Sequence, residues 1–131
     1  MTPSQVKKFK AFAAEHALTK EDFFKAPQGF VCVKLSGIEK IQKSLGIIVH
    51  YEHMESLCVP QEGLYVIKAT AKSRVQGPSQ AVIVETYGEV SSKNNRNSYP
   101  VAMAEKRALS RVVLKMADMY MIGVKGEDEL Q

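Results

Sequence analysis

A chain of 131 residues, 45% hydrophobic and 24% charged, is long enough for one domain with a buried core and too apolar to stay disordered. Its net charge of +4 excludes a strongly acidic surface, and no apolar run approaches the ~20 residues that a bilayer-spanning helix needs. The opening "MTPSQVKKFKAF" has no apolar signal core, so a cytoplasmic protein with no membrane partner is expected, with Cys32 and Cys58 as buried free thiols.

Pro3 and Ser4 mark a helix start, with Val6, Phe9, Phe12 and Ala13 as its apolar stripe and Lys7, Lys8 and Lys10 opposite. "TKED" from Thr19 reads as a capping box for a short turn ending near "APQG", so residues 1–28 form a helical extension. "FVCVKL" (30–35) is strand-like. Ser36 with Glu39 reads as a second capping box, and Ile38, Ile41 and Leu45 keep helical spacing until Gly46 stops them.

Three strands then alternate: Ile47, Val49 and Tyr51 against His50 and Glu52; Tyr65, Ile67, Ala69 and Ala71 against Lys68, Thr70, Lys72 and Arg74; and Val82, Val84 and Val90 against Glu85 and Glu89. The short turns between them favour an antiparallel meander. A polar loop, "SSKNNRNS", leads to a long helix over 99–123. Pro100 suits its first position, and Ala104, Ala108, Val112, Met116 and Tyr120 form a stripe at steps of four. Residues 125–131 read as an acidic tail. The expected fold is a single α+β domain. Its core over 29–124 is a helix, a three-stranded antiparallel meander and a long C-terminal helix on one sheet face, the order of a double-stranded-RNA-binding module.

Between Ser91 and Lys115 six cations stand against the single acid Glu105. Arg107, Arg111 and Lys115 recur every four residues and so line one side of the helix, while Lys68, Lys72 and Arg74 share one strand face. Phosphates along a nucleic-acid strand call for such rows, although cations on an amphipathic helix are more often simply solvated. Tyr99, beside the basic loop, suits base stacking or packing at the helix start equally; Tyr120 continues the core stripe. Nothing points to an enzyme. His50 and His53 are three apart on a strand and point to opposite faces, neither cysteine has a close ligand partner, and Glu85 and Glu89 lie roughly 13 Å apart, too far to share a metal. No cofactor or metal is expected.

"YPVAMAEKRALSRVVLKMA", preceded by three strands and "GIEKIQKSLGI", resembles the single-strand annealing recombinases of the Rad-fifty-two type found in phages and mobile elements. Their "A-x-x-R-A-x-x-R" pattern falls here on Ala104, Arg107, Ala108 and Arg111, the "GEDEL" close is similar to phage-type members, and the likeness covers roughly residues 30–129. The resemblance implies a homo-oligomeric ring or arc, with no bond-making chemistry, that holds single-stranded DNA along a basic groove so that complementary strands can pair. It also implies an unidentified partner nuclease or single-strand-binding protein. By position, Lys106, Arg107, Arg111 and Lys115 become the backbone-binding residues, with Lys68, Lys72, Arg74, Lys93 and Arg96 as secondary ones. Two rivals stand beside it. A double-stranded RNA-binding module shares the element order but places lysines at the start of its last helix, where this chain has "PVAMAE". A nucleic-acid-free assembly domain would pair the basic residues with Glu127, Asp128 and Glu129 of a neighbour.

Overall fold

The computed structural model of the chain describes residues 1–73, 83–94 and 98–130. Three helices, α1 (Pro3–Glu15), α2 (Leu35–Ser44) and α3 (Pro100–Met116), combine with six strands: β1 (Phe23–Lys25), β2 (Val31–Val33), β3 (Ile47–His53), β4 (Tyr65–Ser73), β5 (Ile83–Val90) and β6 (Val124–Gly126). The fold is α+β, as expected, but it has two three-stranded sheets rather than one.

β3, β4 and β5 form the expected antiparallel meander, with Tyr51 opposite Ala69 and Thr86 beyond it. The alternation in β4 is as read: Ile67, Ala69 and Ala71 are buried and Lys72 is exposed. α3 packs across β4 and β5. The approach is closest at Gly88, where an added Cβ would collide with the backbone of Ala104 and Ala108 and lie 2.9 Å from the Ala108 side chain. The alanines on one side and the glycine on the other let helix and strand backbones meet.

The second sheet corrects the sequence reading of both ends. β1 and β2 form an antiparallel hairpin (Phe24 opposite Cys32), and β6 joins β2 in parallel (Cys32 opposite Lys125). β2 lies within the run read as strand-like (30–35), whereas β1 and β6 have only three residues each, too short for a two-residue alternation to show in sequence. The "helical extension" therefore carries a strand, and the "acidic tail" carries another followed by a tight helical turn over Glu127–Leu130. α3 also ends earlier than read. Asp118 takes a left-handed conformation (φ 59°) and the Met119 amide bonds back to the Leu114 carbonyl, which closes the helix and leaves Tyr120 in a separate turn. Ile38, Ile41, Val33, Val112, Val113, Leu114 and Val124 are fully buried, so one core joins both sheets through α2 and α3. Among the described residues no helix is long and apolar enough to cross a membrane.

The capping chemistry is as read at Thr19, where Asp22 accepts from the Thr19 amide and the Thr19 hydroxyl accepts from the Glu21 amide, and displaced elsewhere. The reciprocal box belongs to Thr2 and Gln5 at the start of α1. At α2 Lys34 is the cap residue and makes no side-chain bond, while Ser36 donates instead to Asp22. Buried Asp22 gathers Lys40 Nζ at 2.7 Å, the Thr19 amide at 2.8 Å and Ser36 Oγ at 2.8 Å. The Lys40 ammonium first, then the Thr19 and Ser36 donors, hold its carboxyl well below the usual carboxylate range. The folded-state value lies below the unfolded one near 3.9, so this group contributes stability above about pH 4 that is lost as pH falls toward its folded value. Asp22→Asn is expected to lower stability at pH 7 by about 2 kcal/mol and to flatten the acid limb of urea-unfolding stability measured against pH. An unchanged acid limb would remove Asp22 from that role.

Candidate nucleic-acid interface

The cations of α3 divide into arginines that hold the fold together and lysines that do not. Arg107 is 2% exposed. Its guanidinium donates to three backbone carbonyls: Nε to Asp128 at 3.1 Å, one terminal nitrogen to Glu89 at 2.8 Å and the other to Asn94 at 2.7 Å. It ties the end of β5, the following turn and the 127–130 turn to α3. With those donors spent inside the protein, Arg107 presents no face to a phosphate, contrary to its sequence assignment. The sequence carries a signal for this: Met103, Arg107, Ser110 and Leu114 recur at steps of four, three and four, and all four are buried. They form a second buried helix face, disguised by its two polar members.

Arg111 lies at the edge of the same structure. It bridges Glu89 (2.6 Å) and Glu129, and also donates to the Tyr87 carbonyl at 2.8 Å. Glu129 first, and then Glu89, raise its pKa far above the ordinary arginine value, against the effect of burial. Both carboxylates, expected on solvent or on a neighbour, are thus partners of this one guanidinium. The rest of the 127–130 turn is similarly occupied. Glu127 Oε1 accepts from the Leu35 amide at the start of α2 (3.3 Å), and Asp128 accepts from Ser110 Oγ at 2.9 Å. Burial pushes the Asp128 carboxyl up.

The lysines are placed differently. Among the described residues Lys72, Lys93, Lys106, Lys115 and Lys125 form no ion pair, whereas Lys68 reaches Glu85 at 3.1 Å. Lys106 Nζ lies 5.7 Å from the ring centroid of Tyr99, which is 51% exposed at the cap position of α3. Lys106 and Lys115 are nine residues apart, half a turn out of phase on a helix, so they belong to different sides of it. Lys115, in the last turn, instead meets Lys125 of β6. With Arg111, Tyr120 and Thr86 they line a cavity of about 620 Å³ beside Asp118 and Glu129. The Thr86 hydroxyl there is buried with no hydrogen-bond partner among the described residues. Burial and the nearby Glu129 raise the Tyr120 phenol above its usual range. Lys125 also sits 4.6 Å from the Phe30 ring centroid. It was not singled out from sequence, because it stands in what read as an acidic tail. Arg74 and Arg96 lie outside the described residues.

The remaining site expectations resolve on the far side of the meander. Lys68, Thr70 and Lys72 share its open face with Glu85 and Tyr87, and there the acid answers one lysine directly. His53 Nε2 lies 3.3 Å from Cys58 Sγ, a pairing the strand alternation did not foresee because the chain folds back through a short helical turn at Glu55–Leu57. Cys58 is half-buried, bonded also to the Met54 carbonyl and the Val66 amide; Cys32 is fully buried. Among the described residues no three His, Cys, Asp or Glu side chains gather as metal ligands. Compared with protein-family models, with curated proteins and with solved structures, the chain matches none.

Proposed function

We propose that the protein binds single-stranded DNA and anneals complementary strands, acting as a homo-oligomer in recombination of a phage or mobile element. The observation that carries this reading is the cavity at the end of α3, where Lys115 and Lys125, free of ion pairs among the described residues, stand with Arg111 around an unpartnered threonine hydroxyl. A phosphate would find there two ammonium groups, with Tyr120 as an apolar wall. Lys106 over the exposed Tyr99 ring supplies a second contact point at the other end of the helix, suited to a base stacked on the ring and a phosphate on the lysine.

The test moves from the arginines, which hold the fold, to these lysines. The parent should bind a labelled single-stranded oligonucleotide with a log–log salt slope of about −3, as four phosphate contacts require. Lys115→Ala with Lys125→Ala should weaken binding about tenfold and shrink the slope by about 1.4, since each contact to a single strand contributes ~0.7. A folded double variant that binds like the parent in fluorescence anisotropy would remove the cavity from the interface.

The double-stranded RNA reading draws on the order α2, β3, β4, β5, α3, and a matched RNA duplex in the same assay separates it. The first turns of α3, Pro100–Glu105, carry no cation, which leaves that reading without its groove-spanning lysines. The assembly reading called for acids of a neighbour on the basic residues; for Arg111, Glu89 and Glu129 of the same chain take that place.

A further inference from the structure

The second sheet, in the order β1-β2-β6, has β1 as one of its edge strands. In the β1–β2 hairpin the Lys34 amide donates to the Asp22 carbonyl and the Ala26 amide to the Phe30 carbonyl, each at 2.8 Å. Alternation along the strand then turns Phe24 toward β2 and points the amides and carbonyls of Phe23 and Lys25 away from it. Among the described residues those four groups have no hydrogen-bond partner, and β1 has a neighbouring strand on one side only. Beside them lies a groove of about 630 Å³ between β1 and α1. All three residues of β1 line it. Successive side chains of a strand point to opposite faces, so a groove touching all three runs along the strand edge rather than over one face.

The lining of the groove specifies a partner. Its floor is apolar, with Val6, Phe9 and Leu18 beside Phe23, whose ring meets Phe9 edge-on at 5.0 Å. Its charged members are Lys10, Lys20 and Lys25; no carboxylate lines it, and none of the three lysines forms an ion pair among the described residues. The edge strand β5 of the meander is capped by side chains. On β5 the Tyr87 and Glu89 carbonyls are already taken by Arg111 and Arg107.

We propose that β1 and the adjoining groove capture an extended acidic peptide of a partner protein, which adds as a strand to β1. Its main chain bonds to Phe23 and Lys25, its apolar side chains enter the groove, and its carboxylates meet the three lysines. This site is separate from the lysines proposed to hold DNA.

The probe is a fluorescein-labelled octapeptide alternating Asp with Leu, read by anisotropy, with amide hydrogen exchange followed by NMR. Saturable binding should slow exchange at the Phe23 and Lys25 amides. It should weaken at least tenfold when Lys20 and Lys25 are both changed to Glu, exposed positions outside the core. It should weaken as much when the peptide is N-methylated at alternate residues, which blocks strand pairing but keeps charge and apolarity. Equal binding of the N-methylated peptide, or of a Lys-for-Asp peptide, would overturn the proposal. So would unchanged exchange at the two amides, no binding at millimolar peptide, or a concentration-dependent dimer that fills the edge with a second copy.

Discussion

Arg107→Lys is expected to lower folding stability by about 3 kcal/mol, a fall in Tm of roughly 12 °C for a domain of this size. Lysine keeps the charge, but a single ammonium cannot reach the carbonyls of Asp128, Glu89 and Asn94 together, as the planar guanidinium does. At least one carbonyl and the buried charge are then left poorly satisfied. The loss should appear in denaturant unfolding. It should be accompanied by faster amide exchange in residues 124–130, because the arginine holds the following turn to α3. A variant as stable as the parent would show that the three bonds contribute little. The same experiment separates the two readings of this residue. If Arg107 served DNA and not the fold, the lysine variant would keep its stability and lose only some affinity.

Gly88→Ala should be at least as costly, about 3 kcal/mol, although it adds a single methyl group to a strand. That methyl would stand on the Ala104 carbonyl oxygen and the Ala108 nitrogen, which are backbone atoms and cannot turn aside. Either α3 lifts from β5 along its length or the strand bends away. Both outcomes separate Arg107 and Arg111 from the Glu89 and Tyr87 carbonyls they cap. A Tm within 2 °C of the parent would show that the helix shifts at little cost. Gly63→Ala is a useful contrast: its Cβ would meet nothing nearer than 3.6 Å, so its cost arises only from the left-handed backbone at φ 67°.

These two positions show what sequence reading can reach. The meander was legible because β3, β4 and β5 are long enough for alternation to repeat, and because Lys68, Thr70 and Lys72 mark the open face of β4. α3 was legible from Ala104, Ala108 and Val112. Its second buried face was not, since Arg107 and Ser110 look like solvent residues until their partners are placed, and those partners are backbone carbonyls and an aspartate some twenty residues away. Of the second sheet only β2 was legible, within the apolar run 30–35; its partners were hidden for a different reason. Three-residue strands have no period, and the residues that pair β2 with β6 are far apart in the chain. For the proposed interface, the sequence reading chose α3 and credited its arginines. A guanidinium with five donors is the better internal staple, and the flexible ammonium groups of Lys106, Lys115 and Lys125 are left at the surface.

The parallel pairing of β2 with β6 also sets a schedule. Cys32 and Val33 are fully buried, yet their partner strand is synthesised about ninety residues later. At translation rates of about 5–20 residues per second, β2 waits on the order of 5–20 s for it. Through that interval the nascent chain can hold the meander and the β1–β2 hairpin, but with an apolar strand edge bare and the start of α2 lacking its Glu127 partner. Chaperone demand during synthesis should therefore centre on residues 31–33, and release should coincide with the emergence of residues 124–130.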